Sequence, residues 1–384
     1  MNSKTLKKLV PQIITIVLVF GVIGYFWLNA YTNMEIRGMD FGYDFLFKAA
    51  SFDIQFSMID YSGSSPYYRA YFVGLLNTLL VSAIGIFFAT LLGITIGISR
   101  LSKNILVSKL SEVYVEFFRN IPLLLQIFFW YFAVLRSLPL PENALIIGNN
   151  IYVTIKGIYI PKFIWTNFYI FISSLIASII TIVFVLNYSK RQQENFGKQY
   201  PKLLISLCIV AFFITSVFIL GLVDLDFEKP KLINLSKTVY NFQGGVSIVP
   251  ELIALVFALS LYTSTFIAEC VRAGIIGVGK GQKEASASLG LTTGQTLKLV
   301  VMPQALRIII PPTTNQYLNL TKNSSLAAAI AYPDLVSVFA GTALNQTGRA
   351  IEIVSITMAT YLTISLLISF FMNWYNKKIA IKEK

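Results

Sequence analysis

The chain has 384 residues, of which 55% are hydrophobic and 13% charged, with a formal net charge of +13. That much apolar sequence cannot be hidden in the core of a water-soluble domain, so the composition specifies an integral membrane protein. There is no histidine, and the two cysteines, Cys208 and Cys270, fall in or beside apolar segments. This excludes His/Cys metal centres, Ser-His-Asp or Cys-His catalysis and a disulfide framework.

Taken in order, Lys4, Lys7 and Lys8 precede an apolar run from Leu9 to Ala30. The run is too long for a signal-peptide core and ends in no small-x-small cleavage site, so it reads as the first transmembrane helix. Residues 31–70, with the breaker Gly63-Ser64-Ser65-Pro66, read as an outer loop carrying a short interfacial helix. A second span covers 71–99, with Arg100, Lys103 and Lys109 following on the inner side. A third covers 113–135, opening on Glu116-Phe117-Phe118-Arg119-Asn120-Ile121-Pro122 and including Gln126. Residues 136–164, rich in proline and glycine, read as an outer loop with little room for a domain. The fourth span, 165–187, ends at Lys190-Arg191, and the fifth, 203–223, leads to an outer loop from Asp224 to Val249. A sixth, 250–276, carries Glu269 and Arg272 near its inner end. Beyond a polar segment comes an apolar stretch, 305–339, broken by a polar patch at 315–325, and a last span, 352–374, ends at Asn376-Lys377-Lys378. The expected fold is an all-α integral membrane protein of about eight transmembrane helices with both ends of the chain in the cytoplasm. The charges agree: the assigned inner segments hold 20 lysines and arginines and the outer ones 10, with Lys322 set aside as intramembrane.

The chain is organised around the polar segment between the sixth span and the next apolar stretch. In Gly281–Pro303, GQKEASASLGLTTGQTLKLVVMP, Glu284, Ala285 and Ser288 fall at helical spacing. Gly290 then supplies a residue able to take positive φ between that short helix and a second one holding Thr293, Thr296 and Val300. Glu284-Ala285-Ser286, Gly290 and Val300-x-Met302-Pro303 together resemble the EAA loop of importer-type ABC transporter permeases. In that family the loop forms a coupling helix that docks into a groove on a cytoplasmic ATPase. The resemblance extends along the chain. Gly74-Leu75-Leu76-Asn77-Thr78, then Glu116-x-Phe118-Arg119-x-x-Pro122-Leu123-Leu124-x-Gln126, are similar to signatures of polar amino acid permeases. So are Ala268-Glu269-x-Val271-Arg272-x-Gly274-Ile275, Pro303-Gln304-Ala305-Leu306-Arg307 and Tyr317–Leu326. Two departures are mild: Ser286 replaces the second Ala of the triplet, and Gly279 replaces the Pro usual before Lys-Gly-Gln.

The resemblance implies a type I ABC importer permease fold with a cytoplasmic coupling helix, and the long layout is that of the larger permease of general L-amino acid or glutamate/glutamine/aspartate/asparagine importers. It divides the chain into a first helix and periplasmic loop (1–70), a first part of the permease core (71–135), an inserted segment with two extra helices (136–248) and the rest of the core (249–384) with its coupling loop at 281–303. It implies an ATPase dimer, a second and non-identical permease, a periplasmic amino acid-binding protein, the lipid bilayer of a bacterial inner membrane, and no nucleic acid. ATP and Mg²⁺ would sit on the ATPase, with no cofactor on this chain. Gly274-x4-Gly279-Lys280 mimics a phosphate loop, but Gly281 stands where a Ser or Thr must bind Mg²⁺ and no strand precedes it.

Ionisable groups inside a membrane are costly and mark sites by default. Lys322, amid Asn319, Thr321, Asn323, Ser324 and Ser325, can receive a substrate carboxylate on a transport pathway; a structural lysine that pairs or snorkels is the competing reading. Glu269 and Arg272, at i and i+3, form a local ion pair or a gate, and Glu116 and Arg119 repeat the spacing. Asp334 either caps a helix or lines the path. The alternative function is an ion-coupled secondary amino acid transporter, which predicts inverted repeats; none is visible, and that class gives the 281–303 loop no role.

Overall fold

The computed structural model describes residues 3–36, 42–148, 150–197, 200–222, 225–236 and 239–379. Arg37, Lys198, Lys237, Lys382 and Lys384, which enter the charge count, and Val223 and Asp224, at the expected end of the fifth span, lie outside the described residues. The first element, α1 (Ser3–Ile36), is a long apolar helix in which the apolar window of Val10–Asn33 has no buried residue. The loop that follows holds one turn of 3-10 helix, Asp44–Phe47, and pairs Ala49 with Pro66 ahead of α2 (Tyr67–Ser99).

Helix α2 is apolar all round, and its inward face is picked out by small residues rather than by hydrophobicity. Gly85, Ala89, Gly93 and Gly97, one helical turn apart, are all buried. Lipid is as apolar as a packed core, so membrane helices approach closely where side chains are small. The partner is α7 (Pro250–Ile276): a Cβ added at Gly93 would lie 2.6 Å from Ile267, and one at Gly97 2.6 Å from the carbonyl oxygen of Ala268.

The third span is not straight. It is built from α3 (Ile105–Asn120), capped by Asn104 Oδ1 accepting from the Leu106 and Val107 amides, and α4 (Leu123–Phe128), which runs on as π-helix to Val134. The helices Ile105–Asn120 and Leu123–Ser137 meet at 100°. Pro122 cannot donate to the ladder, and the Gln126 side-chain amide donates instead to the carbonyls of Phe118 and Ile121. The continuous helix expected over 113–135 is therefore corrected to a sharp bend at Ile121–Pro122.

Residues Phe129–Ile253 form one compact unit, and the segments ending at Phe128 and beginning at Ala254 form another. In the first of these, the two segments read as loops contain strands, which the sequence reading did not anticipate. These are β1 (Leu145–Ile147), β2 (Ile151–Thr154), β3 (Gly157–Ile160), β4 (Lys162–Trp165), β5 (Leu225–Glu228), β6 (Lys231–Ser236), β7 (Val239–Gln243) and β8 (Val246–Ile248). They make an antiparallel sheet in the order β1-β2-β3-β8 and two antiparallel pairs, β4-β5 and the hairpin β6-β7. Phe242 sits with its ring 4.7 Å from those of both Tyr152 and Tyr159, a small aromatic core between two of these sheets. Between β4 and β5 run α5 (Phe168–Phe196) and α6 (Lys202–Ile219), packed on each other with Phe171 against Phe218. At 18 residues α6 spans ~27 Å, slightly under the ~30 Å hydrocarbon core.

In the other unit, α7 leads through a glycine turn to α8 (Lys280–Ser288), α9 (Thr293–Thr296) and α10 (Met302–Asn323). The polar patch does not break α10; the break falls later, in a 3-10 segment (Ser324–Ile330), the left-handed Ala331 and a π-helix (Val336–Ala343). Helices α11 (Leu344–Thr347) and α12 (Ala350–Ile379) complete the chain. A core of Phe45, Tyr67, Ala70, Leu335, Val338, Phe339 and Ile353 ties the early loop, α2, the π-helix and α12 together. Among the described residues five helices are long and apolar enough to cross a membrane, or six with the bent pair counted as one span. The count of about eight expected from the sequence also includes the shorter α6 and the more polar α10.

Candidate functional site

The coupling segment is built by capping. At the end of α8 the Gly290 amide donates to the Ala287 carbonyl and the Leu291 amide to that of Ser286, the paired bonds of a Schellman turn. Such a turn needs a left-handed residue, and Gly290 has φ +77°. Two residues on, Thr292 and Gln295 cap α9 reciprocally, each side chain accepting from the other's amide. The Ser286 hydroxyl is buried and hydrogen-bonds the Lys283 carbonyl (2.7 Å) and the Thr296 hydroxyl (3.0 Å), tying α8 to α9. Glu284 and Ala285 are exposed, Leu289 is 80% exposed, and Pro303 stands in the first turn of α10. The departure from the triplet thus acquires a reason: Ser286 faces inward and fastens the loop, while its neighbours face solvent.

Above this loop, Glu269 holds two arginines. Its carboxylate pairs with Arg272 at 2.5 Å, as the i, i+3 spacing predicts, and also with Arg100 from the end of α2. Arg100 lies 169 residues away in sequence, so no local spacing could have revealed it. Arg119 does not pair with Glu116; its guanidinium lies over the Phe266 ring, 5.2 Å from the centroid.

The polar patch divides between two faces of α10. Thr321 and Ser324 are buried and spend their hydroxyls on the helix's own carbonyls, those of Tyr317 and Thr321. Asn319 and Lys322 are exposed and Asn323 and Ser325 half-buried. Lys322 and Ser325 line a cavity of about 420 Å³ with Val336, Thr357 and Tyr361. No carboxylate of the described residues lies within 4 Å of the Lys322 ammonium. Asp334 resolves to a cap: its Oδ1 accepts from the Ser337 amide at 2.8 Å. Nearby, Asn77 donates to the carbonyls of Phe56 and Pro333, and the Leu335 amide donates to Thr78, so the Asn-Thr pair, three turns into α2, clamps the chain around Pro333.

Several long apolar helices, with a capped polar helix pair between two of them, define a multi-pass membrane protein of the permease class. The family model for "Binding-protein-dependent transport system inner membrane component" matches residues 195–381. The chain is 48% identical over its whole length to the putative amino-acid ABC transporter permease protein YhdX of Escherichia coli K12, covering 96% of that protein. It is 45% identical over 98% of its length to the general L-amino acid transport system permease protein AapQ of Rhizobium johnstonii, covering 93% of that protein. It is 40% identical over 96% of its length to the glutamate/glutamine/aspartate/asparagine transport system permease protein BztB of Rhodobacter capsulatus, also covering 93%. The chain belongs to the family of binding-protein-dependent ABC transporter permeases. Members are the membrane subunits of their transporters, and ATP hydrolysis belongs to a separate chain.

Proposed function

We propose that this chain is the larger permease of an ATP-driven importer of L-amino acids in a bacterial inner membrane, with both ends of the chain in the cytoplasm. The observation that carries the reading is α8: a short polar helix held between two apolar helices, with Glu284, Ala285 and Leu289 facing solvent and Gly290 closing it. An apolar tip on a charged helix outside the membrane-spanning segments is suited to a groove on another protein. That partner is an ATPase dimer, which binds the ATP and Mg²⁺. Closure of the dimer moves α8 and opens the pathway outward. An amino acid delivered by a periplasmic binding protein then enters between this chain and a second, non-identical permease, and hydrolysis resets the inward-facing state. Asn319, Thr321, Lys322, Asn323, Ser324 and Ser325 line or support the pathway, and Glu269 with its arginines holds the inner ends of α2 and α7 together. The names and near-complete coverage of the relatives support the substrate class.

The test is a mild-detergent pull-down of the tagged chain with partners identified by mass spectrometry. An ATPase and a shorter permease are expected. An ATPase with no other permease would establish a homodimer, and recovery of the chain alone after gentle crosslinking would move the assignment to an ion-coupled transporter.

A further inference from the structure

We propose that the groove formed by β5, β6 and the β7–β8 turn is a docking site for an acidic segment of the soluble protein that delivers substrate, with Lys229 and Lys231 as its cationic anchors. The proposal rests on the importer reading above and deepens it by placing that partner's contact on the insert.

The strands of the insert make one connected body. Besides the Phe242 ring between Tyr152 and Tyr159, the Tyr159 hydroxyl donates to Asn241 Oδ1 (3.1 Å) and the Lys156 ammonium to the Tyr240 carbonyl (3.0 Å). These bonds fasten β7 to the β1-β2-β3-β8 sheet. On the other side of β7, the turn to β8 runs hard against the end of β5. A Cβ at Gly244 would stand 3.0 Å from Glu228 Oε1 and 3.2 Å from the Lys229 carbonyl oxygen. That approach needs glycine twice over, because Gly244 also has φ +79°. What remains open is a groove of about 560 Å³ lined by Phe227, Glu228, Lys229, Lys231, Ile233 and Gln243.

The charges of the groove are unspent. Glu228, Lys229 and Lys231 are exposed, and none has an ion-pair partner within 4 Å among the described residues. Glu228 stands opposite Lys162 in the β4–β5 register, so it has a cation across the strand and the two groove lysines are left over. Phe227, its ring 4.9 Å from that of Phe163, and Ile233 add an apolar wall. A positive patch beside an apolar wall selects an acidic partner surface.

The side of the membrane identifies the partner. β8 leads directly into α7, and α8 follows the end of α7. The 27 residues of α7 are ~40 Å of helix, enough to cross the ~30 Å hydrocarbon core. The strands and the coupling helix therefore face opposite aqueous compartments. An importer meets its ATPase at α8, and the soluble protein that it meets on the other face is the one bringing substrate.

The complete transporter is reconstituted in proteoliposomes, and ATP-driven uptake of radiolabelled L-amino acids is measured while the binding protein recovered with it by crosslinking is titrated outside. In the double variant Lys229→Glu with Lys231→Glu, the half-saturating concentration of binding protein should rise ~10-fold while maximal uptake stays within ~2-fold of the parent. Moving from low to high salt should raise the parent's half-saturating concentration and leave that of Lys229→Gln with Lys231→Gln nearly unchanged. A rise below ~3-fold in the charge-reversed variant would overturn the site and leave the importer standing. So would a loss of maximal uptake at unchanged half-saturation, the result expected of a purely structural role. Variants that change only the response of uptake to the anionic lipid content of the vesicles would assign the groove to phospholipid headgroups instead, which also overturns it. No stimulation of the parent by the binding protein would remove the importer reading, and this site with it.

Discussion

At Gly290 the backbone has φ +77°, and no atom lies within 4 Å of where a Cβ would stand. Space is not the constraint; conformation is, since an L side chain in the left-handed region costs ~1–2 kcal/mol. Gly290→Val should therefore spoil the turn that holds α8 while leaving membrane insertion intact. Membrane yield should stay at the parent level while ATP-driven uptake collapses, and normal uptake would refute the coupling role. Glu269 makes a different case, because one carboxylate satisfies Arg100 and Arg272 together. Replacing it with Gln leaves two guanidinium groups facing each other, and the loss should be about 2 kcal/mol for these partly buried groups. A lowered thermal midpoint in detergent, with Glu269→Gln and Arg100→Gln non-additive, is the expected signature. Tyr61, in the loop before α2, donates to the Phe52 carbonyl, and burial, reinforced by Asp53, pushes its phenol up to about 12. The folded state holds that proton more tightly than the unfolded chain, so this contribution is complete below pH 10 and is lost between pH 10 and about 12. A difference titration against Tyr61→Phe, read by tyrosinate absorbance, should place the transition near the upper end.

Helices in this chain pack by what they lack. The stripe Gly85, Ala89, Gly93, Gly97 lets α2 lie against α7 closely enough that added Cβ atoms at Gly93 and Gly97 would meet Ile267 and the Ala268 carbonyl at 2.6 Å. Gly97→Val must push the helix backbones apart, since a carbonyl cannot rotate away as a side chain can. The cost should be ~1–3 kcal/mol or more, read as a lower thermal midpoint and a weakened Arg100–Glu269 pair. An unchanged midpoint would mean that the two helices are not in close contact. The same logic explains why hydropathy marked α2 as a span and could not mark its buried face: lipid-facing and protein-facing positions are equally apolar. The bend at Pro122 was legible as a proline, but its angle depends on Gln126 reaching back to two carbonyls. The strands escaped notice because each is three to six residues long and lies among glycines and prolines such as Gly148, Pro161, Pro230 and Gly244 that read as loop punctuation. Gly157, for example, is conformationally special (φ +129°) because β8 passes directly over it, a contact from 91 residues away.

For the whole molecule, the division at Phe129 and Ile253 keeps every residue of the coupling segment, and Arg100, Glu269 and Arg272, within one unit. Replacing residues 136–248 with a short Gly/Ser linker should therefore leave ATPase capture intact in a pull-down. Loss of capture from a variant that still reaches the membrane would show that the insert supports the core. Much of this protein was written locally. Membrane residence, the helical spans, the α8–Gly290–α9 sequence and the Glu269–Arg272 pair follow from composition, short-range spacing and backbone preference, which act within a few residues of one another. The pairing of Arg100 with Glu269, the clamp of Asn77 and Thr78 on Pro333–Leu335, the β3–β8 and β4–β5 pairings of the insert and the meeting of Lys322 with Tyr361 at one cavity were decided only by the tertiary structure. Each joins positions dozens to hundreds of residues apart, and a burial or a hydrogen bond between such positions leaves no periodicity in the chain that makes it.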